Sequence, residues 1–281
     1  MDNTAVAETS LNSYFDSHVH FNADTYSEEE REAALEEFTL ETNNDMLPKT
    51  AIDVGFDYTS SVMAIKHAER FCEFNRIYAA VGIHPSYVPE ATDEQLNTLK
   101  SMIIDDIGGH KFIKAIGEIG LDYHDMKASK ELQREWFRKQ IRLALECQLP
   151  IIVHSRKADK ETMDILKEEK AFANGVLMHS YTGSAEFAKE YIKSGAYLGI
   201  GGAVTYENNR KTVEVARTVD IDSILVETDA PFQSPVPFRG TMNKTGNIIK
   251  VIEKIAEIKN MTVEAVIKAT MQNGNAFFRI S

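Results

Sequence analysis

The sequence has few of the features that mark secreted or membrane-spanning proteins. It has only two cysteines, Cys72 and Cys147, in 281 residues, which argues against a disulfide scaffold and favours a reducing compartment. It has no run of about 18 apolar residues, so we expect no membrane-spanning helix. The opening MDNTAVAETS lacks the basic and apolar regions of a secretory signal. We therefore expect a cytoplasmic protein.

Positive charge is also scarce. The chain has 31 Lys and Arg against 43 Asp and Glu, which gives a formal net charge of −12. Such a balance argues against a protein that coats nucleic acid through a broad basic face. It leaves room for a small site that binds a phosphate ester, because bound metal ions can dominate the potential of a cleft.

The chain does contain a regular alternation of short β-branched runs and amphipathic stretches. Eight runs predict strands at 14–18, 50–54, 77–81, 112–117, 150–154, 175–179, 196–199 and 224–227. Helices are predicted at 27–40, 59–74, 92–107, 130–148, 160–170, 184–194, 208–219, 246–259 and 262–278. This order implies parallel strands with right-handed crossovers.

We therefore predict an α/β fold, a single TIM-type (β/α)8 barrel with an extra C-terminal helix, with a doubly wound open sheet as the alternative. Residues 1–12 are expected to form a loose N-terminal segment, and residues 13–281 a single barrel domain. The polar stretch 41–50 is expected to be a longer loop at the stabilising end of the barrel.

Side chains capable of chemistry collect where the predicted strands end, which is where active sites of such barrels form. In the first strand, Asp16, His18 and His20 are two residues apart and should project to one side. The other strand-end candidates are His84, Glu118, His154, His179 and Asp229. His67 and His110 are expected on the solvated surface, and the roles of Asp16 and His124 stay open.

This set of side chains indicates a metal centre. Clustered imidazoles and carboxylates are costly unless they are paired or bind metal. Four histidines with Glu118 and Asp229 exceed the needs of one tetrahedral ion, so two divalent ions sharing a carboxylate fit better. Glu118, on a mid-barrel strand, is the expected bridge. Imidazole favours zinc or manganese over magnesium, and the identity of the ions stays open among these three.

Seven motifs occur in a characteristic order over about residues 14–278: DSHVH, GIHP, GEIGLDYH, LPIIVHSR, HSYTGS, ETDAPF and RGTMN. With them the chain resembles the TatD family of metal-dependent deoxyribonucleases. The resemblance implies an amidohydrolase-like barrel whose metal ligands are His18, His20, Glu118, His154, His179 and Asp229. It also implies hydrolysis of DNA phosphodiesters, often from the 3′ end of single strands. Ser86, Tyr181 and Thr245 depart from the usual family pattern, which bears on substrate contacts and leaves the ligands intact.

A hydrolytic mechanism follows from the charges. Two divalent ions outweigh Glu118, Asp229 and a bridging hydroxide, so the site keeps a positive charge that attracts a phosphodiester. The metal-bridging hydroxide is expected to attack phosphorus. Asp229 is the expected proton acceptor as well as a ligand, and with Glu118 it is the predicted catalytic residue.

Five further residues are predicted to contact the substrate. Arg156 and Arg239 suit phosphate oxygens, because guanidinium forms forked contacts with them. His84 would contact the substrate or leaving group, Asp122 would orient a ligand or the substrate, and Tyr123 could stack on a base. The structural alternatives are salt bridges for the arginines, loop order for His84, support of a metal histidine for Asp122 and packing for Tyr123.

Two other functions stay open, because a fold does not determine a function. An amidohydrolase-type enzyme could cleave a small-molecule amide or ester. Many such enzymes use a modified lysine on strand four, where this chain has Glu118, with Lys114 four residues earlier. A non-catalytic metal-binding protein is the second alternative. The expected partner is DNA at single-stranded ends, with no membrane association and a monomeric chain.

Overall fold

A computed structural model describes residues 14–44, 49–71, 77–106 and 112–280. Within them, eight parallel strands form one sheet whose neighbours follow chain order. The strands are β1 (Tyr14–Val19), β2 (Lys49–Val54), β3 (Ile77–Val81), β4 (Ile113–Asp122), β5 (Ile151–Arg156), β6 (Val176–Met178), β7 (Tyr197–Ile200) and β8 (Ile224–Val226). The helices are α1 (Glu28–Asn44), α2 (Tyr58–Arg70), α3 (Asp93–Asp106), α4 (Lys130–Glu146), α5 (Asp159–Glu168), α6 (Ala185–Lys193), α7 (Arg210–Thr218), α8 (Ile248–Lys259) and α9 (Val263–Phe278).

The predicted TIM-type barrel with an extra C-terminal helix is confirmed, and the open doubly wound sheet is excluded by the sequential strand order. Backbone bonds connect the ends of β1 and β8, from Asp229 N–H to the His18 carbonyl at 2.9 Å and from His20 N–H to the Ala230 carbonyl at 2.8 Å. No helix among the residues described is long and apolar enough to cross a bilayer. The predicted N-terminal segment 1–12 lies outside the described residues.

Two sequence-based boundaries need correction. Strand β4 continues to Asp122 rather than ending at 117. Helix α1 continues to Asn44 and β2 starts at Lys49, so the long loop predicted at 41–50 is wrong in extent. The polar composition of 41–44 suits a helix end as well as a loop, so composition could not separate the two.

The strands pack apolar side chains on both faces of the sheet, as expected for a parallel barrel. Side chains from alternate positions fill the interior, with Phe15, Ile52, Ile152, Leu177 and Leu225 among them. A larger layer lies between the sheet and the helices. The core therefore consists of two apolar clusters, one inside the barrel and one between the sheet and the helices.

Helix α9 closes the amino-terminal end of the barrel. The ring of Phe278 stacks on Phe15, near the start of β1, with centroids 5.5 Å apart. Gly274 permits this close approach, because a Cβ there would lie 2.5 Å from Phe15 Cγ. The extra helix thus seals the end opposite to the strand-end histidines.

Candidate metal centre

The six predicted ligands converge at the carboxyl-terminal halves and ends of β1, β4, β5, β6 and β8. The Nε2 atoms of His18 and His20 are 3.0 Å apart. Asp229 Oδ1 lies 3.3 Å from His20 Nε2 and 3.8 Å from His179 Nε2. His18 and His179 stack with ring centroids 3.5 Å apart. Nitrogen and carboxylate donors therefore surround one small volume, as a metal site requires.

Glu118 lies between two groups of imidazoles. Its Oε2 faces β1, at 3.6 Å from His18 Nε2 and 3.9 Å from His20 Nε2. Its Oε1 is 2.8 Å from His154 Nδ1 and 3.9 Å from His179 Nε2. A carboxylate whose two oxygens face separate nitrogen groups has the arrangement of a bridging ligand.

Irregular pairing in two strands places these ligands. The pairing of β1 with β2 shifts by one residue between Asp16 and Val19, and that of β4 with β5 shifts between Ile116 and Ile119. Such bulges re-aim side chains and often lie next to active sites. The shift in β4 coincides with Glu118, and the shift in β1 coincides with His18.

The β1 bulge also separates Asp16 from the two histidines, so the expectation that all three project together is wrong for Asp16. Its Oδ1 accepts the Thr228 N–H at 2.9 Å, and its Oδ2 accepts the Thr228 hydroxyl at 2.5 Å. Burial raises the pKa of Asp16 to about 7, although bonds from Thr228 oppose the shift. Asp16 thus holds the backbone next to Asp229.

The histidine tautomers suit metal binding. His20 Nδ1 is 2.7 Å from the Val54 carbonyl oxygen, which can only accept, so Nδ1 carries a proton and Nε2 is the nitrogen left for a metal. Asp229 and Glu118 outweigh burial and raise the pKa of His20, and a bound cation would replace the proton on Nε2. Burial, reinforced by the neighbouring His179, lowers the pKa of His18 to about 3, so its ring is neutral. The two Nε2 atoms, 3.0 Å apart, fit two ligands of one divalent cation.

The carboxylates are ionised and need positive partners. Burial raises the pKa of Asp229, but contact with His20 and nearby His179 outweighs it and lowers the value to about 2. For Glu118, nearby His84 and His179 outweigh burial and hold the pKa well below its usual value.

Two histidine protons can provide this positive charge. Asp122 and Glu118 overcome the effect of burial and raise the pKa of His154 to about 9, and Glu227 and Glu118 do the same for His179, whose pKa is raised to about 10. A bound cation can replace these protons, as metal binding at histidines generally releases them. The donor set therefore fits divalent metal.

Two supporting residues were missed in the sequence. Glu227, fully buried, accepts the Ser180 N–H at 2.7 Å and lies 3.1 Å from His179 Nδ1, in an ion-pair contact whose angle falls short of a hydrogen bond. Gln233 donates to Asp229 Oδ2 at 2.5 Å, which leaves Oδ1 facing the histidines. Glu227 could have been noticed because it occupies the same strand end as Asp229.

The surface assignment of His67 is wrong. His67 is buried on α2, and its Nδ1 is 2.7 Å from Asp53 Oδ2. The other oxygen of Asp53 accepts from Asn22, which also donates to the Val54 carbonyl at 3.0 Å. The charge of a buried Asp53 explains why a polar helix residue turns inward. His110 lies outside the described residues, and His124 is exposed.

Helix α4 fixes two strand ends through a pair of buried glutamines. Gln133 accepts the Asp122 N–H at 2.8 Å and donates to the Asp122 carbonyl at 3.1 Å. Gln140 makes the same pair of bonds with Ile83, at 2.7 and 2.9 Å. Residues seven apart lie on one helix face, so both amides point to the barrel. They hold the backbone beside His84 and at the end of β4.

The six predicted metal ligands, which we call the metal cluster, lie at an open cavity of about 640 Å³, and all of them except His18 line it. Of the predicted substrate contacts, His84 and Arg156 line it. Asp122 Oδ2 lies 3.1 Å from His154 Nε2 and 4.0 Å from the Arg156 guanidinium, so it supports both.

The structure places Tyr123 and Arg239 beside other partners. The Tyr123 hydroxyl donates to Glu161 at 2.6 Å, and Arg239 lies over the Tyr206 ring at 4.2 Å. Neither residue lines the cavity of the metal cluster.

Comparison with known proteins gives a consistent family. A family model described as TatD related DNase matches residues 15–279. The uncharacterized metal-dependent hydrolase YabD of Bacillus subtilis is 42% identical over 267 residues, covering 95% of this chain and 99% of that protein. The uncharacterized metal-dependent hydrolase YcfH of Escherichia coli K12 is 34% identical over 209 residues, covering 74% of this chain and 76% of that protein.

The fold agrees with this result. The crystal structure of YJJV, a TatD homologue from Escherichia coli K12, matches with a TM-score of 0.85 and 26% identity, covering 96% of this chain and 100% of that chain. The family match, over residues 15–279, extends over all the strand ends that carry the histidines and carboxylates. The chain therefore belongs to the TatD family of metal-dependent hydrolases.

Proposed function

We propose that this protein is a deoxyribonuclease that hydrolyses DNA phosphodiesters at the ends of single strands, in the 3′ to 5′ direction. The observation that carries the proposal is the position of Glu118 between two imidazole groups, which is the arrangement of a two-metal hydrolytic site. The family description, TatD related DNase, supports DNA as the substrate.

The donor set supports two divalent ions that share Glu118. His18, His20 and Asp229 would hold one, and His154 and His179 the other. When bound, such ions lower the pKa of water and polarise a phosphoryl oxygen. With four imidazoles, the set favours zinc or manganese over magnesium. Because one chain supplies all six groups, the proposed active form is a monomer.

The side chains around the ions orient the substrate and move the proton. Asp229 is ionised, and Gln233 fixes one of its oxygens, so the other can accept a proton from the attacking water. Arg156, at the cavity rim, offers its guanidinium to phosphate oxygens. His84 lies on the opposite side of Glu118 from His18, where it can contact the leaving group. Tyr123 and Arg239, which have other partners, take no part in this proposal.

The test is a cleavage assay with protein loaded separately with zinc, manganese or magnesium. Substrates are single- and double-stranded DNA labelled at the 3′ or the 5′ end, RNA, and a panel of small esters and amides. We expect stepwise shortening of single-stranded DNA from the 3′ end. Glu118→Ala should abolish it, whereas alanine at Glu207, an exposed residue in the loop after β7, should not.

An amidohydrolase-type activity on a small amide or ester is the second candidate, because the cavity has the volume of a small-molecule site. Lys114 does not favour it, since its ammonium lies 5.0 Å from the Tyr78 ring centroid, four residues before Glu118. Ester or amide turnover with intact DNA would favour this second candidate over a deoxyribonuclease. Metal binding without turnover of any substrate would support the third possibility, a non-catalytic metal-binding protein.

A further inference from the structure

One wall of the cavity is aromatic. The Phe232 ring centroid is 5.9 Å from that of His20, and Phe56 lies 5.7 Å from the same imidazole. Tyr87 continues the row at 5.1 Å from Phe56. We call Phe232, Phe56 and Tyr87 the aromatic wall, and it extends from the loop after β8 to the loop after β3. All three residues line the cavity beside the metal cluster.

Phe232 differs from the other two in its exposure. It is 42% exposed, whereas Phe56 is 8% exposed. The core therefore does not require the whole Phe232 ring, and a free aromatic surface faces the cavity next to His20. An exposed aromatic side chain at a cleft is suited to contact with a ligand.

Charge is distributed unevenly around the cavity. Among the described residues that line it, Arg156 is the single lysine or arginine. The aromatic wall itself is uncharged and has neighbours of both signs: burial raises the pKa of Tyr87, the nearby carboxylates of Asp57 and Asp24 raise it further, and the Lys127 ammonium lies 5.9 Å from the Tyr87 ring centroid. A phosphate is therefore attracted to metal ions held by the metal cluster and to Arg156, whereas the rings of the aromatic wall offer it no charge. The wall suits a neutral, planar group.

We infer that the aromatic wall binds the nucleobase next to the scissile phosphodiester, with Phe232 as the stacking surface. This inference rests on the proposed phosphodiesterase function and specifies its substrate as a nucleotide ester rather than a simple phosphodiester. Stacking on an aromatic ring is worth about 5- to 150-fold in affinity per base, and every base has a face to offer. A chain with net charge −12, and with Arg156 as the single lysine or arginine among the described residues of the cavity, gains from such a contact because it cannot rely on a basic groove.

The experiment compares substrates with and without a base on the metal-loaded protein. Thymidine 5′-(4-nitrophenyl phosphate) and its 3′ isomer carry a base next to the reacting phosphorus, and methyl 4-nitrophenyl phosphate carries none. The measured quantity is the preference, which is the ratio of kcat/KM for the better thymidine ester to kcat/KM for the methyl ester. Using both isomers makes the result independent of the direction of digestion.

We expect the wild type to prefer the thymidine ester and Phe232→Ala to lower this preference at least about five-fold, the lower end of the stacking range. Phe232→Tyr, which keeps the ring, should retain it. Phe238→Ala is the matched control, since Phe238 is 39% exposed on the same loop but does not line the cavity. An equal preference in the wild type and Phe232→Ala, or no preference in the wild type, would overturn the inference.

A binding measurement separates this inference from the proposed function. Calorimetry compares thymidine 5′-phosphate with deoxyribose 5-phosphate, and we expect the advantage of the base to be lost in Phe232→Ala. If this advantage is present and depends on Phe232 while no phosphodiester is cleaved, base binding stands and the proposed function fails. If phosphodiesters are cleaved but the base confers no advantage, the proposed function stands and base binding by the aromatic wall fails.

Discussion

Replacing Glu227 by glutamine tests how His179 is held for metal. The substitution keeps the volume of the side chain and removes a charge 3.1 Å from His179 Nδ1. For two full charges at this distance the attraction is about 5 kcal/mol at an effective dielectric constant of about 20. A neutral, metal-bound imidazole retains only a part of this attraction to Glu227. Loss of such a carboxylate behind a ligand histidine typically weakens metal binding about 10- to 100-fold, or about 1.4–2.8 kcal/mol.

We therefore expect the dissociation constant for zinc or manganese to rise about 10- to 100-fold in Glu227→Gln. The assay is a competition titration of metal-free protein against a chelator of known affinity, with circular dichroism to verify folding. Glu207→Gln is the control, because this exposed carboxylate lies at the same end of the barrel. A dissociation constant within about two-fold of wild type in a folded Glu227→Gln protein would refute the argument from charge.

Three further predictions concern other residues of the site. Asp229→Asn should nearly abolish phosphodiester turnover while some metal is retained, as kinetics and metal analysis would show, and normal turnover would remove Asp229 from its proton-accepting role. Arg156→Ala should lower kcat/KM about 10- to 100-fold, the value of a charged hydrogen bond, with an unchanged Tm because its side chain is 53% exposed. A fall in Tm with normal kinetics would indicate a structural salt bridge instead. In metal-free protein, the Tm of Asp16→Asn minus the Tm of the wild type should increase as the pH rises from about 4 to about 8, as measured by thermal melts. The pKa of Asp16 is 3.8 in the unfolded chain and is raised to about 7 in the folded protein. The folded wild type therefore keeps the full contribution of protonated Asp16 to its stability below pH 3.8 and loses it as the pH rises from 3.8 through 7, whereas asparagine does not titrate. A difference that does not vary with pH would contradict this assignment.

The barrel and the convergence of the six strand-end residues follow from the sequence, because parallel strands in a closed sheet bring all their carboxyl ends to one rim. Knowing where β1 and β8 end is enough to place His18 near Asp229, although they lie near opposite ends of the chain. Family motifs support the same residues. The strand order does not, however, determine in which direction each side chain points within the rim.

Side-chain directions could not be predicted where a bulge or a distant partner sets them. The bulge in β1 turns Asp16 to Thr228, which simple alternation does not predict. His67 is on a polar-looking helix and is buried by a carboxylate on β2, a partner that helical periodicity does not reveal. Tyr123 follows Asp122 directly, yet its hydroxyl bonds to Glu161 on α5. Each of these three side-chain directions depends on a contact with a residue of another strand, helix or loop.

Helix α4 also constrains how the rim can change. Gln133 and Gln140 are separated by seven residues, an axial rise of about 10.5 Å, and each holds the backbone of a different strand end. The ends of β3 and β4 therefore cannot shift independently while α4 stays intact. Inserting one residue between the two glutamines would rotate one amide about 100° away from the barrel and release a single strand end. The length of this helix segment is thus as constrained as the ligands it helps to align, although neither glutamine touches them.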